Sequence, residues 1–139
     1  MYKCDFKLTT GDENVGTVYL PSKDCGNIPV LIYCHGWGGN RSLPTVLQRL
    51  LDKQIAIVAF DFYGGGDTGG DYAHMTYRRW QENLCDILTW VIKQPFTDSE
   101  RIGCYAFSSG STAALRLVAE DNRIKFWFQL GLASAHIYL

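Results

Sequence analysis

No stretch of the 139 residues stays apolar for the roughly 18 positions a membrane-spanning helix needs, and residues 1–10 mix Lys3, Asp5 and Lys7 with apolar side chains. Neither a span nor a secretory leader is expected. Excess charge of one sign is also missing: 13 Lys and Arg face 14 Asp and Glu, a formal net charge of −1. A phosphate backbone or an anionic bilayer demands a surplus of positive charge, so nucleic acid and membrane are poor partners. The five cysteines, Cys4, Cys25, Cys34, Cys85 and Cys104, are odd in number and have no pair near C-x-x-C spacing. Neither a disulfide framework nor a zinc site follows, and a reducing, cytoplasmic setting is the expectation. No repeat, linker or low-complexity tract divides the chain.

What is present is material for a core. Hydrophobic residues make up 47% of the chain and charged residues only 19%, without the signature of disorder. Residues 2–10 and 15–20 read as two strands of an antiparallel hairpin around the turn-forming Gly11-Asp12-Glu13-Asn14. Residues 28–34, 55–62, 102–107 and 124–132 are short, nearly continuous apolar runs, the pattern of strands covered on both faces. Cys34 and Cys104 lie inside such runs, where a thiol behaves as a small buried hydrophobe.

Helical periods separate these runs. Leu43, Val46, Leu47, Leu50 and Leu51 form one stripe. Trp80, Leu84, Ile87, Leu88, Val91 and Ile92 form a second, with Thr76 as the expected N-cap. A third helix over 109–120 is apolar almost all round and should be buried more deeply than the others. The alternation predicts an α/β fold, a mostly parallel sheet with helices on both faces. Ligands of such sheets gather beyond the carboxyl ends of the strands, which directs attention to the strand-to-helix loops.

The first of these loops is His35-Gly36-Trp37-Gly38-Gly39-Asn40, whose glycines let the backbone turn its N–H groups inward as an anion site requires. Alone it reads equally well as a Gly-rich turn. The second junction, Gly103-Cys104-Tyr105-Ala106-Phe107-Ser108-Ser109-Gly110-Ser111, runs from strand to helix with almost no loop. A serine at 108 would sit on a strained turn with its hydroxyl above the sheet, provided the residues two before and two after are small; Ala106 and Gly110 are. The N–H of Ser109 would then face the place where an oxyanion forms, with the N–H of Trp37 as its partner. The plainer alternative for Ser108 is an ordinary N-cap.

Together these segments, with Phe60-Asp61-Phe62-Tyr63-Gly64-Gly65-Gly66-Asp67 and Gly70-Asp71-Tyr72 between them, resemble the α/β-hydrolase family over residues 15–135. The likeness is greatest to small cinnamoyl- and feruloyl-type esterases and related serine-peptidase-like hydrolases. It implies Ser108 as nucleophile, Trp37 and Ser109 as oxyanion donors, and His35, Gly36, Gly38, Ala106 and Gly110 as the supporting loop residues. It also implies a small carboxylic-ester or related acyl substrate, with no cofactor and no metal. Ala106 stands where the family usually has Gly, and Phe107 where a His commonly precedes the serine. The glycines at 64–66 lack the Lys-Ser/Thr of a phosphate loop, so a flavodoxin-like nucleotide binder is disfavoured. Asp67 is expected to hydrogen-bond its own loop.

A serine needs a base, and the base needs an acid to hold it. In this family both follow the serine, but beyond Ser108 the chain has only Glu120, Asp121 and His136. Glu120 and Asp121 end the helix that starts at the serine, roughly 16 Å away at ~1.5 Å per residue. His136 lies three residues from the end with no acid after it, His74 has no family role, and His35 should brace its loop. The expectation is therefore a single incomplete domain, 1–139, ending after the sixth strand and impaired as a catalyst. Its exposed last strand would invite self-association, and a non-catalytic binding or assembly module on the same fold is the alternative.

Overall fold

The computed structural model describes residues 1–131. Strands β1 (Tyr2–Lys7) and β2 (Val15–Leu20) pair antiparallel, and β2 pairs antiparallel with β4 (Ala56–Phe60). β3 (Ile28–Cys34) lies parallel to β4 on one side and to β5 (Thr97–Phe107) on the other, and β6 (Phe126–Leu130) extends β5 in parallel. The order across the sheet is β1-β2-β4-β3-β5-β6. The expected α/β sheet with its antiparallel edge hairpin is therefore present, and the central β3 and β4 are almost wholly buried, as continuous apolar runs require.

Period two divides the core. Val30, Ile32, Cys34, Val58, Phe60, Ile102, Cys104 and Ala106 face one side. There they meet Trp80, Leu84, Ile87, Leu88 and Val91 of α2 (Tyr77–Ile92) and Ala113, Ala114 and Leu117 of α3 (Ser109–Glu120). Thr76 caps α2 as its sequence position indicates, its hydroxyl accepting from the Arg79 N–H. Leu31, Tyr33, Ile57 and Ala59 face the other side, against Leu47 and Leu51.

That second side carries less helix than its stripe suggests. α1 spans only Thr45–Gln48, followed by a 3₁₀ turn over Leu51–Lys53. Pro44 sets its late start: it disfavours helical backbone at Leu43, and no side chain caps the helix it begins. α3 also departs from expectation, because Leu115 is exposed while α2 buries the fuller stripe. Among the described residues α3 packs chiefly on α2 and on the sheet, which leaves Leu115 on its outward side uncovered.

Boundaries shift where local chemistry decides them. β1 stops at Lys7 before the turn, β4 ends at Phe60 so that Asp61 and Phe62 enter the following loop, and β5 starts at Thr97, five residues earlier than its apolar run. β6 is an edge strand with Phe126, Phe128 and Leu130 exposed. They share a face with Tyr105 and Phe107 of β5, beyond the reach of α1. Leu132 and the rest of the expected last strand and tail lie outside the described residues.

Candidate active site

The parallel strands β3 and β5 end side by side, Cys34 opposite Ala106, so the chain continues from adjacent positions into the 35–40 loop and into α3. Gly110 lets the two approach. A Cβ there would run into the backbone carbonyl of His35 and come within 3.0 Å of that of Cys34. Gly36 is confined in the same way, with 3.0 Å between a built Cβ and the Cβ of Ser108 and 3.2 Å to the Phe107 carbonyl. The glycines thus draw the first loop onto the start of α3.

Ser108 occupies the corner between β5 and α3 with φ 50° and ψ −124°. This lies outside the regions an L-residue normally populates. Two backbone bonds hold it there: its N–H donates to the Leu130 carbonyl (3.0 Å), and its own carbonyl accepts from the Ser111 N–H (2.9 Å). An N-cap serine would have extended backbone and a hydroxyl accepting from the first turn; Ser108 has neither. Ala106 is fully buried beneath the corner, where a larger side chain would meet the core.

Trp37 places its backbone N–H toward this corner, donating to the Ser109 hydroxyl at 2.6 Å. Ser109 opens α3, so its own N–H lies outside the helical ladder. Trp37 is 59% exposed and its indole tilts against Tyr72, ring centroids 4.4 Å apart, while the Tyr72 hydroxyl accepts from the Gly38 N–H at 3.1 Å. Gly38 itself takes φ 69°. Tyr72 thus supports the loop from above, a contact between residues 34 positions apart that no local pattern announces.

His35 supports it from below. The ring is buried, Nδ1 donates to the Gly36 carbonyl (2.7 Å) and Nε2 accepts from the Phe62 N–H (2.9 Å). This fixes the tautomer and ties the loop after β3 to the loop after β4. Burial lowers the His35 pKa below the ordinary histidine value, against a smaller upward pull from the Gly36 carbonyl and Asp61. A neutral ring is what the two backbone bonds require.

The loop after β4 is organised by Asp61, wholly buried. Its carboxylate accepts from the Arg41 N–H (2.6 Å), the Asp67 N–H (2.9 Å) and the Arg41 guanidinium, whose second arm reaches Asp67 (2.7 Å). Asp67 therefore bonds its own loop only through its backbone N–H, and its carboxylate reaches Arg41 of the preceding loop instead. The roles of Asp61 and Arg41 were not apparent from spacing, because the partners are far apart in sequence. A buried acidic residue beside a Gly-rich loop was the available signal.

The remaining candidates sit elsewhere. His74 is exposed in a short 3₁₀ turn, Tyr72–His74, beside a groove with Asp12, Thr76 and Arg79. Glu120 accepts from Gln81 (2.7 Å), and Asp121 pairs with Arg123 (2.6 Å). His136 lies outside the described residues. Among the described residues no side chain hydrogen-bonds the Ser108 hydroxyl, no group of three or more His, Cys, Asp or Glu side chains could hold a metal, and no helix is long and apolar enough to cross a membrane.

With this geometry in view, the model of the alpha/beta hydrolase fold matches residues 29–125, which include both loops, Ser108 and all of α3. The chain belongs to the α/β-hydrolase family. Among similar proteins, an uncharacterised 31.7 kDa protein from the traX-finO intergenic region of Escherichia coli is 31% identical over 104 residues, 72% of this chain and 36% of that protein. Among solved structures, Est1E from Butyrivibrio proteoclasticus with bound ferulic acid superposes with a TM-score of 0.74 at 22% identity, covering 85% of this chain and 49% of that one. The Pyrococcus furiosus esterase Pf2001 gives 0.73 at 26% identity, over 88% and 49%. This α/β-hydrolase chain thus spans about a third of the curated relative and just under half of the solved neighbours.

Two measurements check the site. Ser108→Gly removes the Cβ that makes φ 50° unfavourable, a strain of about 1–3 kcal/mol, partly offset by glycine's entropy. The variant should melt about 3–5 °C above Ser108→Ala, which keeps the strain. For His35, a lowered folded pKa means the unfolded chain binds the extra proton first as pH falls. Stability should be level above about pH 7, fall below about pH 6.5, and flatten once the folded ring protonates. Denaturant titrations across this window should show that slope, and His35→Gln should lack it while starting from a lower stability. Asp12 and Asp121, held low by hydrogen bonds from Arg79 and Arg123, lose their contributions only below about pH 4, and Asp86, raised by burial, acts with the opposite sign above its ordinary value; the difference between the unaltered chain and His35→Gln isolates the histidine.

Proposed function

We propose that this chain carries the nucleophile half of a serine hydrolase for carboxylic esters or related acyl compounds. The observation that carries the reading is the backbone of Ser108: a non-glycine residue at φ 50°, ψ −124°, at a strand-to-helix corner, with no capping bond to account for it. Strain of this kind persists where the surroundings impose it, and a strained strand-to-helix corner supports the reading of a serine hydroxyl raised above the carboxyl end of the sheet. In this reading the Ser108 oxygen adds to the acyl carbon as its proton passes to solvent, which returns one to the leaving alcohol. The carbonyl oxygen becomes an oxyanion between the N–H groups of Trp37 and Ser109, and the leaving alcohol departs with a proton. Water then releases the acid and restores the serine. The esterase Pf2001 supports an ester as the substrate, and the ferulic acid bound to Est1E is the kind of product such an ester would leave.

The weak point is the proton. Each histidine among the described residues is engaged or remote: His35 spends both ring nitrogens on backbone groups, and His74 faces the groove by Asp12. With no base from the described residues, Ser108 should act slowly, at most on the order of 10³–10⁴-fold over water, the level left when a triad member is missing. A longer chain supplying an acid and a histidine would exceed this.

A second reading, a non-catalytic assembly module, is favoured by one observation, the exposed row Phe126, Phe128 and Leu130 on an edge strand. The two make different forecasts. A fluorophosphonate probe should label the chain slowly and Ser108→Ala not at all, read by intact-mass spectrometry; labelling that survives in Ser108→Ala, or none in either protein, counts against the serine reading. The module reading instead expects concentration-dependent sedimentation that Phe128→Lys abolishes, and monomeric behaviour of the unaltered chain at every concentration would remove it.

A further inference from the structure

The Trp37 amide is already occupied. Its acceptor at 2.6 Å is the hydroxyl of Ser109, a side chain 72 residues away in sequence. That hydroxyl is three bonds from the Ser109 amide nitrogen and therefore within about 4 Å of it in any staggered rotamer. One oxygen thus accepts from one amide of the pair and stands beside the other. An oxyanion stabilised by the same two amides needs an oxygen about 2.7–3.1 Å from each. The two oxygens compete for one place.

We infer that the Ser109 hydroxyl is a built-in cap on the oxyanion site, standing in for the substrate's carbonyl oxygen in the free protein and displaced from the Trp37 N–H when substrate binds. This rests on the reading of Ser108 as the nucleophile. The physical logic is that an unpaired amide at a partly covered site loses its hydrogen bond, whereas a hydroxyl on a rotatable Cα–Cβ bond satisfies it and can leave. Ser109 is half-buried and Trp37 exposed, so the released hydroxyl can turn to solvent. The Trp37 loop meanwhile stays in place, because Gly36 is packed against Ser108, Gly38 is bonded to Tyr72 and His35 is clamped to Phe62. The cap therefore adds a small opening cost to each acylation and contributes nothing to the loop's position. A hydroxyl acting as a brace or as a third donor would have the opposite effect on rate.

Two readouts on the full chain separate these cases. In the first, amide hydrogen exchange followed by NMR, Ser109→Ala should speed exchange of the Trp37 N–H about three- to tenfold, the worth of one ordinary hydrogen bond, whereas Ser109→Thr keeps its protection. In the second, a fluorophosphonate reacts with Ser108 as the serine oxygen bonds to phosphorus, fluoride leaves, the serine proton passes to solvent and the phosphoryl oxygen takes the oxyanion place. Ser109→Ala should raise that labelling rate about three- to tenfold. An equal or slower rate in Ser109→Ala overturns the cap, as does Trp37 exchange that ignores the substitution. If no variant labels while Trp37 exchange responds as expected, the serine reading has failed and displacement by substrate falls with it, yet the hydroxyl is still identified as the acceptor of that amide.

Discussion

The arrangement at the carboxyl end of the sheet depends on how closely α3 can approach the end of β3. That distance is set by Gly110, at which any side chain would enter the backbone of His35. With the helix start seated there, Ser108 has no room for an ordinary corner: β5 must hand over within one residue, and the positive φ follows from this rather than from the serine's own preference. The same approach brings Trp37 over the corner. Packing, not polar attraction, comes first, and the hydrogen bonds record where it puts the donors.

Polar groups then hold the loops against that packed base. His35 joins the loops after β3 and β4 through two backbone bonds, and Asp61 gathers Arg41 and Asp67 around a fully buried carboxylate. The two act differently. His35 is neutral and satisfied, so it costs little to bury, whereas Asp61 is retained by the guanidinium and amides that surround it. Removing Arg41 would leave a buried carboxylate without its cation, while removing His35 would leave the Phe62 N–H unpaired, about 1–3 kcal/mol, the Gly36 carbonyl keeping the Gly39 N–H. Both interactions fix backbone rather than touch a ligand, which is why neither residue reads as chemistry on its own.

Much of this was legible from residue types in order. Continuous apolar runs gave the central strands because β3 and β4 are covered on both faces, and small residues flanking Ser108 pointed to the corner because backbone there must pass close to backbone. Legibility failed where a contact crosses sequence. The stripe from Leu43 to Leu51 overstated α1, since Pro44 outweighs hydrophobic period at a helix start. The all-round apolar pattern of α3 overstated its burial, since a pattern cannot tell whether a neighbour exists to cover Leu115. The Tyr72 and Asp61 contacts, reaching 34 and 20 residues away, leave no periodic trace.

The Ser109 side chain shows the same limit at its sharpest. Position 109 was expected to serve through its amide, a group every residue but proline provides, so the identity of the side chain carried no information in that argument. In three dimensions the hydroxyl accepts from the Trp37 N–H, a contact 72 residues away in sequence. A site built from backbone donors is indifferent to side-chain identity for its chemistry but not for its resting state. Strain at Ser108 and occupancy at Trp37 are then two separate costs placed on neighbouring residues. Backbone packing imposes the first permanently; a single rotatable bond imposes the second and can release it.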